Sequence, residues 1–392
     1  MSTFLSYGFR PFFFLGAIWA AVAMMLWTSM LAGVISMPIR MDPVSWHAHE
    51  FLFGYLGAII AGFLLTAVPS WTGRAPIGGL RLAFLIVVWA VGRGAFSVSD
   101  MLSPITVATI DLLFPILLAI IIAHEIVAAR NWKNLIVVIA LTAFVAANGL
   151  FHIEAARGDY GAGGVGLRFG VAAALMQISI IGGRVIPVFT RNWLMKTGRT
   201  NVPSKPMGYF DILALVVTAI ALILWVVLPD QALSAYALLA ASLLQAIRLS
   251  RWSGIATFSN SLLFVLHVGY AFIPLGAALV ACSILRPDLL STAASQHIWM
   301  SGAIGCMTLA LMTRATLGHS GRELRADMGT NLLYLSVIGA TAARFFAELT
   351  PMEPLVMYSA AALLWITAYS GFALLYCRML FGDPALQSVR VK

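Results

Sequence analysis

Long apolar runs alternate with short polar segments along the whole chain. A helix needs about 20 residues to cross the roughly 30 Å hydrocarbon core of a bilayer. Twelve runs of suitable length lie near residues 11–35, 46–70, 82–98, 104–125, 134–156, 165–190, 208–228, 231–248, 258–283, 293–316, 330–349 and 355–380. The pattern predicts an all-α membrane protein, a bundle of twelve transmembrane helices. Residues 1–392 are expected to form a single polytopic domain, which the long basic link at 191–206 could divide into two six-helix halves.

The composition supports a membrane protein. The 392 residues are 61% hydrophobic and 10% charged, with a mean hydropathy of +0.94, whereas soluble domains carry about 25% charged residues. The net charge of +9 is therefore interpreted as a topology signal and not as affinity for nucleic acid. If the amino terminus is inside, 17 basic residues fall in inner segments and 3 in outer loops. This asymmetry predicts that both termini are cytoplasmic.

The cysteines add little to this picture. Cys282, Cys306 and Cys377 each stand alone in an apolar run, with no C-x-x-C pair and no C-x-x-C-H motif for covalent haem attachment. They are expected to be ordinary core thiols. The first apolar run is longer than a signal peptide and has no convincing cleavage site, so it is expected to stay attached.

Histidines are the first candidate chemistry, and most of them fall at the predicted outer face. A metal centre is predicted from five of them, since imidazoles near the apolar zone each need a partner and histidine is a common metal ligand. These candidate ligands are His47, His49, His152, His267 and His297. His124 and His319 are assigned to the inner side and are not expected to bind this centre. The alternative is that each histidine lies in an interfacial belt or makes a single hydrogen bond.

The spacing of the first two histidines constrains how they can act. Two residues on a regular helix are separated by roughly 200° of rotation, so His47 and His49 cannot face one metal unless the helix start is unwound. Glu50 lies one turn from His47 and is a candidate acceptor that would orient the imidazole of His47 by a hydrogen bond. The alternative for Glu50 is an interfacial carboxylate near a helix N-terminus. Glu50 and Glu154, near the outer mouth, are also candidate proton carriers.

A tyrosine and three arginines complete the candidate set. Tyr270 lies one turn from His267 and would suit a redox site that handles protons, the alternative being a structural hydrogen-bonded pair. Arg93, Arg168 and Arg344 fall in the outer third of their helices, where an unpaired guanidinium is costly. Haem propionates are predicted as their partners, because arginine matches the geometry of a carboxylate. The alternative is snorkelling to the outer headgroups.

Several motifs resemble those of the NnrS family of bacterial membrane proteins. They occur at residues 8–13 (GFRPFF), 46–50 (WHAHE), 61–69 (AGFLLTAVP), 71–74 (WTGR), 182–187 (GGRVIP), 190–192 (TRN), 302–305 (GAIG) and 312–322 (MTRATLGHSGR). The resemblance covers nearly the whole chain. It implies a haem- and copper-containing protein of the bacterial inner membrane that is expressed with denitrification and nitric-oxide stress genes. It supplies no assignment of ligands.

Three functions are compatible with these observations. The first is an enzyme in which a non-covalent b-type haem with copper nearby reduces or otherwise turns over nitric oxide, with Glu50 and Tyr270 as catalytic residues and electrons from an unknown donor. The second is a non-catalytic haem protein that binds nitric oxide and so protects or signals. The third is a metal transporter whose histidines are transient ligands. Steady consumption of nitric oxide by purified protein separates the first from the second, and retention of haem through purification argues against the third.

Overall fold

The computed structural model describes residues 3–199, 202–203, 207–350 and 352–382, and within these ranges it contains helices and no strand. Twelve long helices occur in this part of the chain. They are α1 (Phe9–Leu31), α2 (Pro43–Thr72), α3 (Leu80–Ser97), α4 (Pro104–Ala128), α5 (Leu135–Arg157), α6 (Val165–Lys196), α7 (Tyr209–Val227), α8 (Ala232–Ser250), α9 (Ser261–Leu285), α10 (Thr292–His319), α11 (Met328–Phe346) and α12 (Pro354–Phe381).

Each predicted run corresponds to one of these helices, and most helix ends lie within a few residues of the predicted ends. Eleven helices in the described ranges are long and apolar enough to cross a membrane. The remaining one, α11, carries the polar residues Asn331 and Arg344 in only 19 residues. The structure therefore confirms an all-helical, multi-pass membrane protein with eleven candidate spans, and the twelfth span and the cytoplasmic termini stay predictions.

Local polar chemistry explains where several helices begin and end. The Asp42 side chain accepts hydrogen bonds from the backbone N–H groups of Val44 and Ser45, both at 2.9 Å, and so caps the start of α2. Pro43 at the first helical position suits the same start. Gly73 ends α2 with a φ of 70°, a left-handed conformation that glycine adopts at low cost.

Two helices contain a π-helical segment, and each segment begins directly after a histidine. Residues Glu50–Tyr55 follow His49 in α2, and Ile298–Gly305 follow His297 in α10. A π-turn adds a residue to the helical turn and is frequently found at functional sites. Both segments therefore mark positions where the regular helical pattern is interrupted beside a candidate ligand.

The helices are organised in two compact units. Unit 1 comprises Met1–Gly170, Met312–Glu323 and Tyr369–Lys392, and unit 2 comprises Val171–Leu311 and Leu324–Ala368. The units are interleaved along the chain, with boundaries inside α6, α10 and α12. The single domain with two possible six-helix halves stays a prediction.

A buried arginine joins the first and the last helix within unit 1. Arg10 lies in the first turn of α1, and its NH1 group donates to the carbonyl oxygens of Met379 (3.0 Å), Leu380 (2.9 Å) and Gly382 (3.1 Å). These carbonyls lie at the end of α12, where the last turn lacks intrahelical donors. The Arg10 side chain therefore caps the final helix.

We expect Arg10→Leu to lower the free energy of unfolding by about 1.5–3 kcal/mol, the range for hydrogen bonds to a charged group. Denaturant unfolding in detergent measures this change. Arg81→Leu is the matched control, because Arg81 is exposed. Equal stability of the two variants would contradict the capping role.

Candidate metal centre

Six polar side chains from four consecutive helices of unit 1 form a buried cluster. The cluster comprises His49 and Glu50 from α2, Arg93 from α3, Asp111 from α4, and Asn148 and His152 from α5. Its members are all buried, the most exposed being His152 at 7%. Buried charges are tolerated only when they are paired and hydrogen-bonded, so the contacts within the cluster determine what it can do.

Asp111 lies at the centre of the cluster. Its Oδ2 atom accepts a hydrogen bond from Asn148 Nδ2 at 2.8 Å, and it lies 3.0 Å from His152 Nε2 and 3.3 Å from His49 Nε2. Its Oδ1 atom is bonded to the NH2 group of Arg93. One carboxylate oxygen thus faces both imidazoles, while the other faces the guanidinium.

This arrangement suits a metal ion. One ligand atom from each of His49, Asp111 and His152 can be chosen so that all lie within 4.8 Å of one another. Two imidazoles and one carboxylate are a donor set that binds iron, copper or zinc and leaves coordination positions open. The contacts of Asp111 Oδ2 with the two Nε2 atoms bring together the atoms that would surround the ion.

A second layer of contacts orients His49. The Nδ1 atom of His49 lies 3.3 Å from Glu50 Oε1, and Arg93 NH1 donates to the same oxygen at 2.6 Å. Trp19 Nε1 donates to Glu50 Oε2 at 2.6 Å. A ligating histidine usually donates its other ring N–H to a carboxylate, and Glu50 provides that acceptor for His49.

Aromatic rings surround the histidine. Phe96 stacks on the His49 ring at a centroid distance of 3.6 Å, with Phe151 at 5.0 Å and Phe53 at 5.3 Å. Phe96 also meets the ring of His152 edge-on at 5.8 Å. These rings exclude water, which strengthens the electrostatic interactions inside the cluster.

The remaining predicted residues of unit 1 have other surroundings. His47 stacks on Trp27 at 4.2 Å and lies 4.5 Å from the ring of Phe51, so the two histidines of α2 face different environments. Glu154 accepts hydrogen bonds from the backbone N–H groups of Val165 (2.7 Å) and Gly166 (3.0 Å) at the start of α6. Glu154 therefore caps the start of α6, and its role as a proton carrier stays a prediction.

In unit 2, the predicted pair of His267 and Tyr270 is divided between two sets of partners. His267 Nε2 lies 2.9 Å from Thr190 Oγ1. Tyr270 donates to Gln245 Oε1 at 2.7 Å and accepts from Arg248 NH1 at 2.9 Å. The histidine and the phenol therefore do not act as one hydrogen-bonded pair.

His297 and the three arginines also have protein partners. His297 Nδ1 lies 2.7 Å from the carbonyl oxygen of Ala293. Arg344 NH1 donates to Glu348 Oε1 at 2.9 Å, and Arg168 NH1 donates to the carbonyl oxygen of Gly163. Arg93 is paired with two protein carboxylates, Glu50 and Asp111. Its predicted pairing with a haem propionate stays a prediction.

A second buried ion pair lies in unit 2. Arg248 is fully buried in the last turn of α8, and its Nε donates to Asp211 Oδ1 at 2.9 Å. A Cβ atom on Gly183 would lie 2.1 Å from Arg248 NH2, so a larger residue there would displace the guanidinium.

Sequence reasoning missed Asp111 and Asn148. Asp111 is the only acidic residue within the apolar run at 104–125 apart from Glu125 at its end, and an intramembrane carboxylate is by default a functional candidate. Asn148 lies four residues before His152 and so shares its helix face. Both signals, the intramembrane carboxylate and the shared helix face, are present in the sequence.

We expect Gly54→Ala to disrupt the cluster, because a Cβ atom there would lie 2.5 Å from Arg93 NH1 and 2.8 Å from Glu50 Oε2. Displacing the guanidinium weakens a buried ion pair, so the expected loss of stability is about 1–3 kcal/mol. Thermal unfolding measures it. Gly57→Ala is the matched control, since a Cβ atom at Gly57 meets nothing within 4 Å. Unchanged unfolding of both variants would contradict the close contact.

These observations define a class of protein: a multi-pass helical membrane protein with a buried histidine–carboxylate cluster suited to a metal ion. Residues 3–383 match the NnrS protein family, and the chain belongs to that family. Membership suggests a membrane protein of the nitric-oxide response, as the resemblance of the motifs implied. No curated protein matches the chain.

Proposed function

We propose that this protein is a metalloprotein of the bacterial inner membrane that binds nitric oxide at a transition-metal ion held by His49, Asp111 and His152. The observation that carries the proposal is the convergence of these three side chains within 4.8 Å in a buried cluster. Family membership supports nitric oxide as the ligand. Copper is the expected ion on the resemblance to the family, since the donor set alone also suits iron and zinc.

The residues of the cluster have distinct parts in this proposal. His49 and His152 present their Nε2 atoms to the ion, and Asp111 supplies the negative charge. Arg93 orients Asp111 and Glu50, while Asn148 donates a hydrogen bond to Oδ2 of Asp111 and holds that atom in place. Glu50 orients His49 and is placed to accept its Nδ1 proton. Bound copper would act as a Lewis acid towards a small ligand.

A haem is part of the proposal as a second cofactor. A ligating imidazole usually donates its other ring N–H to an oxygen, and His297 fits this pattern through its contact with Ala293. His267 fits it through Thr190, and its buried Nδ1 has no hydrogen-bond partner in the described part of the chain. A haem held by either residue would supply an iron that binds nitric oxide. Arg344, which belongs to unit 2 with both histidines, is the candidate partner of its propionates.

Reduction of nitric oxide with electrons from an unknown donor is the enzymatic form of this proposal. The second candidate is a protein that binds the gas without turnover. It is favoured by the enclosure of the cluster, in which Glu50 and Asp111 are 0% exposed and the carboxylates are bonded to Arg93. An enclosed and internally paired cluster presents no ready proton donor to a substrate.

Metal analysis and EPR spectra of purified protein, before and after anaerobic addition of nitric oxide, test the proposed site. We expect His49→Ala and His152→Ala to lose the ion and its response to nitric oxide. His124→Ala is the control, because the His124 side chain is 67% exposed and contacts Glu125. Full metal content in both cluster variants would contradict the assignment. His47→Ala tests whether His47 is also a ligand.

Nitric-oxide uptake at an electrode separates the two candidate functions. With reduced protein and an electron donor, continuous uptake supports the enzyme. Uptake that stops at about one equivalent per metal centre leaves the binding protein. Replacement of Glu50 by Gln and of Tyr270 by Phe then tests their predicted catalytic roles, and unchanged turnover in both would remove those roles.

A further inference from the structure

A small cavity lies in unit 2 between helices α6, α7, α8, α9 and the π-helical segment of α10. Its volume, about 10 Å³, is at the lower limit for one water-sized molecule. Leu175, Leu222, Leu238, Ala241, Ile273 and Trp299 supply most of its wall. The cavity lies outside the metal-binding cluster, which belongs to unit 1.

Two polar side chains line the cavity, but their polar atoms are bonded to other protein groups. Thr218 Oγ1 donates to the carbonyl oxygen of Ala214 at 2.7 Å and accepts from Gln245 Nε2 at 2.8 Å. Gln245 Oε1 accepts from Tyr270 at 2.7 Å. The surface that a small molecule would touch is entirely apolar. The network of Tyr270 and Arg248 therefore holds the amide and the hydroxyl away from the cavity.

This chemistry selects the occupant. A buried water needs two to four polar partners, whereas apolar cavities stay dry and accept apolar guests. Nothing in the apolar wall can coordinate an ion or pair with a charge. We propose that this cavity is a binding site for a small uncharged gas molecule, separate from the metal centre.

The wall of the cavity is rigid, which makes the site preformed. Trp299 Nε1 donates to the carbonyl oxygen of Ile273 at 3.0 Å, and the indole lies against Gly276, where a Cβ atom would be 2.3 Å from Trp299 Cδ1. Trp225 packs edge-on against the same indole at 5.2 Å. With the wall fixed, binding a guest requires little reorganisation of the protein.

The assignment of nitric oxide as the natural occupant rests on the proposed function. Nitric oxide is small, uncharged and nearly apolar, so it is chemically compatible with the apolar wall, as xenon is. A site in unit 2 would keep the gas inside the protein without coordinating it. Xenon and nitric oxide together separate the existence of the site from the identity of its guest.

Crystals of the full chain under xenon pressure test the site. We expect one xenon peak bounded by Ala241, Ile273 and Trp299, and loss of that peak in Ala241→Leu and in Ala277→Val, which fill the cavity. Ala235→Leu, a buried alanine two turns earlier on α8 that does not line the cavity, should retain it. An ordered water in place of xenon, or xenon retained in both filled variants, would overturn the site.

Exposing the same crystals anaerobically to nitric oxide tests the guest. Diatomic density in the cavity that is lost in Ala241→Leu supports the assignment. Xenon without nitric oxide in the cavity overturns that assignment and leaves the gas site itself supported. Nitric oxide at the metal centre is read from separate density in unit 1, so failure of the proposed function is seen independently.

Discussion

Replacing Asp111 with asparagine is expected to empty the metal centre and to destabilise unit 1. Asp111 supplies the one carboxylate that contacts both Nε2 atoms and Arg93. Loss of a residue that only orients a ligand typically weakens metal binding about 10–100-fold, so loss of the ligand Asp111 should weaken it more than about 100-fold. The neutral amide also leaves Arg93 with only Glu50 as a counter-charge. Metal content and unfolding free energy measure the two effects.

Asp211→Asn provides a matched control for this experiment. Asp211 is also a buried carboxylate paired with a buried arginine, but it lies in unit 2 with Arg248. Both variants break a buried ion pair, and such a change commonly destabilises by about 3–5 kcal/mol. Only Asp111→Asn should lose metal. Equal metal content in the two variants would show that Asp111 is a structural residue and not a ligand.

Arg93→Leu is expected to destabilise the metal-free protein by about 3–5 kcal/mol, because it leaves the charges of Glu50 and Asp111 buried without their partner. Bound metal compensates the charge of Asp111, so the loss should be smaller in metal-loaded protein. Arg93→Lys keeps the charge but cannot reach both carboxylates as a planar fork, and it should recover part of the stability. Unfolding with and without added metal measures these differences.

The same variant separates two roles for Arg93. If Arg93 only pairs with Glu50 and Asp111, metal-loaded Arg93→Leu should contain as much haem as the parent protein. A selective loss of haem with normal copper content would support the propionate role predicted from the sequence. Equal stability of Arg93→Leu and the parent protein without metal would contradict the ion-pair account.

The helices were largely predictable because their signal is local. Apolar length locates α1 to α12 to within a few residues in most cases, and the caps at Asp42 and Gly73 follow from residue type. The π-helical segments after His49 and His297 were not predicted. A periodicity of 3.6 residues assumes a regular helix, so an inserted residue in the turn has no signature in the pattern.

The candidate site was predictable only in part. His49, His152, Glu50 and Arg93 were singled out, but the sequence could not show that they meet around Asp111. In a membrane protein both the lipid-facing and the core-facing sides of a helix are apolar, so hydrophobicity does not give the rotation of α4. The sequence also has few acids near the outer arginines, which favoured haem propionates over Asp111 as the predicted partners of Arg93.

Anomalous diffraction at the absorption edge of copper tests the central claim most directly. Data from crystals of the purified, copper-containing protein should give a peak in contact with His49 Nε2, His152 Nε2 and an Asp111 carboxylate oxygen. That peak should disappear in Asp111→Asn and remain in Asp211→Asn. The account would be contradicted if the only anomalous peak lay elsewhere and these three side chains were bonded to one another without a metal ion.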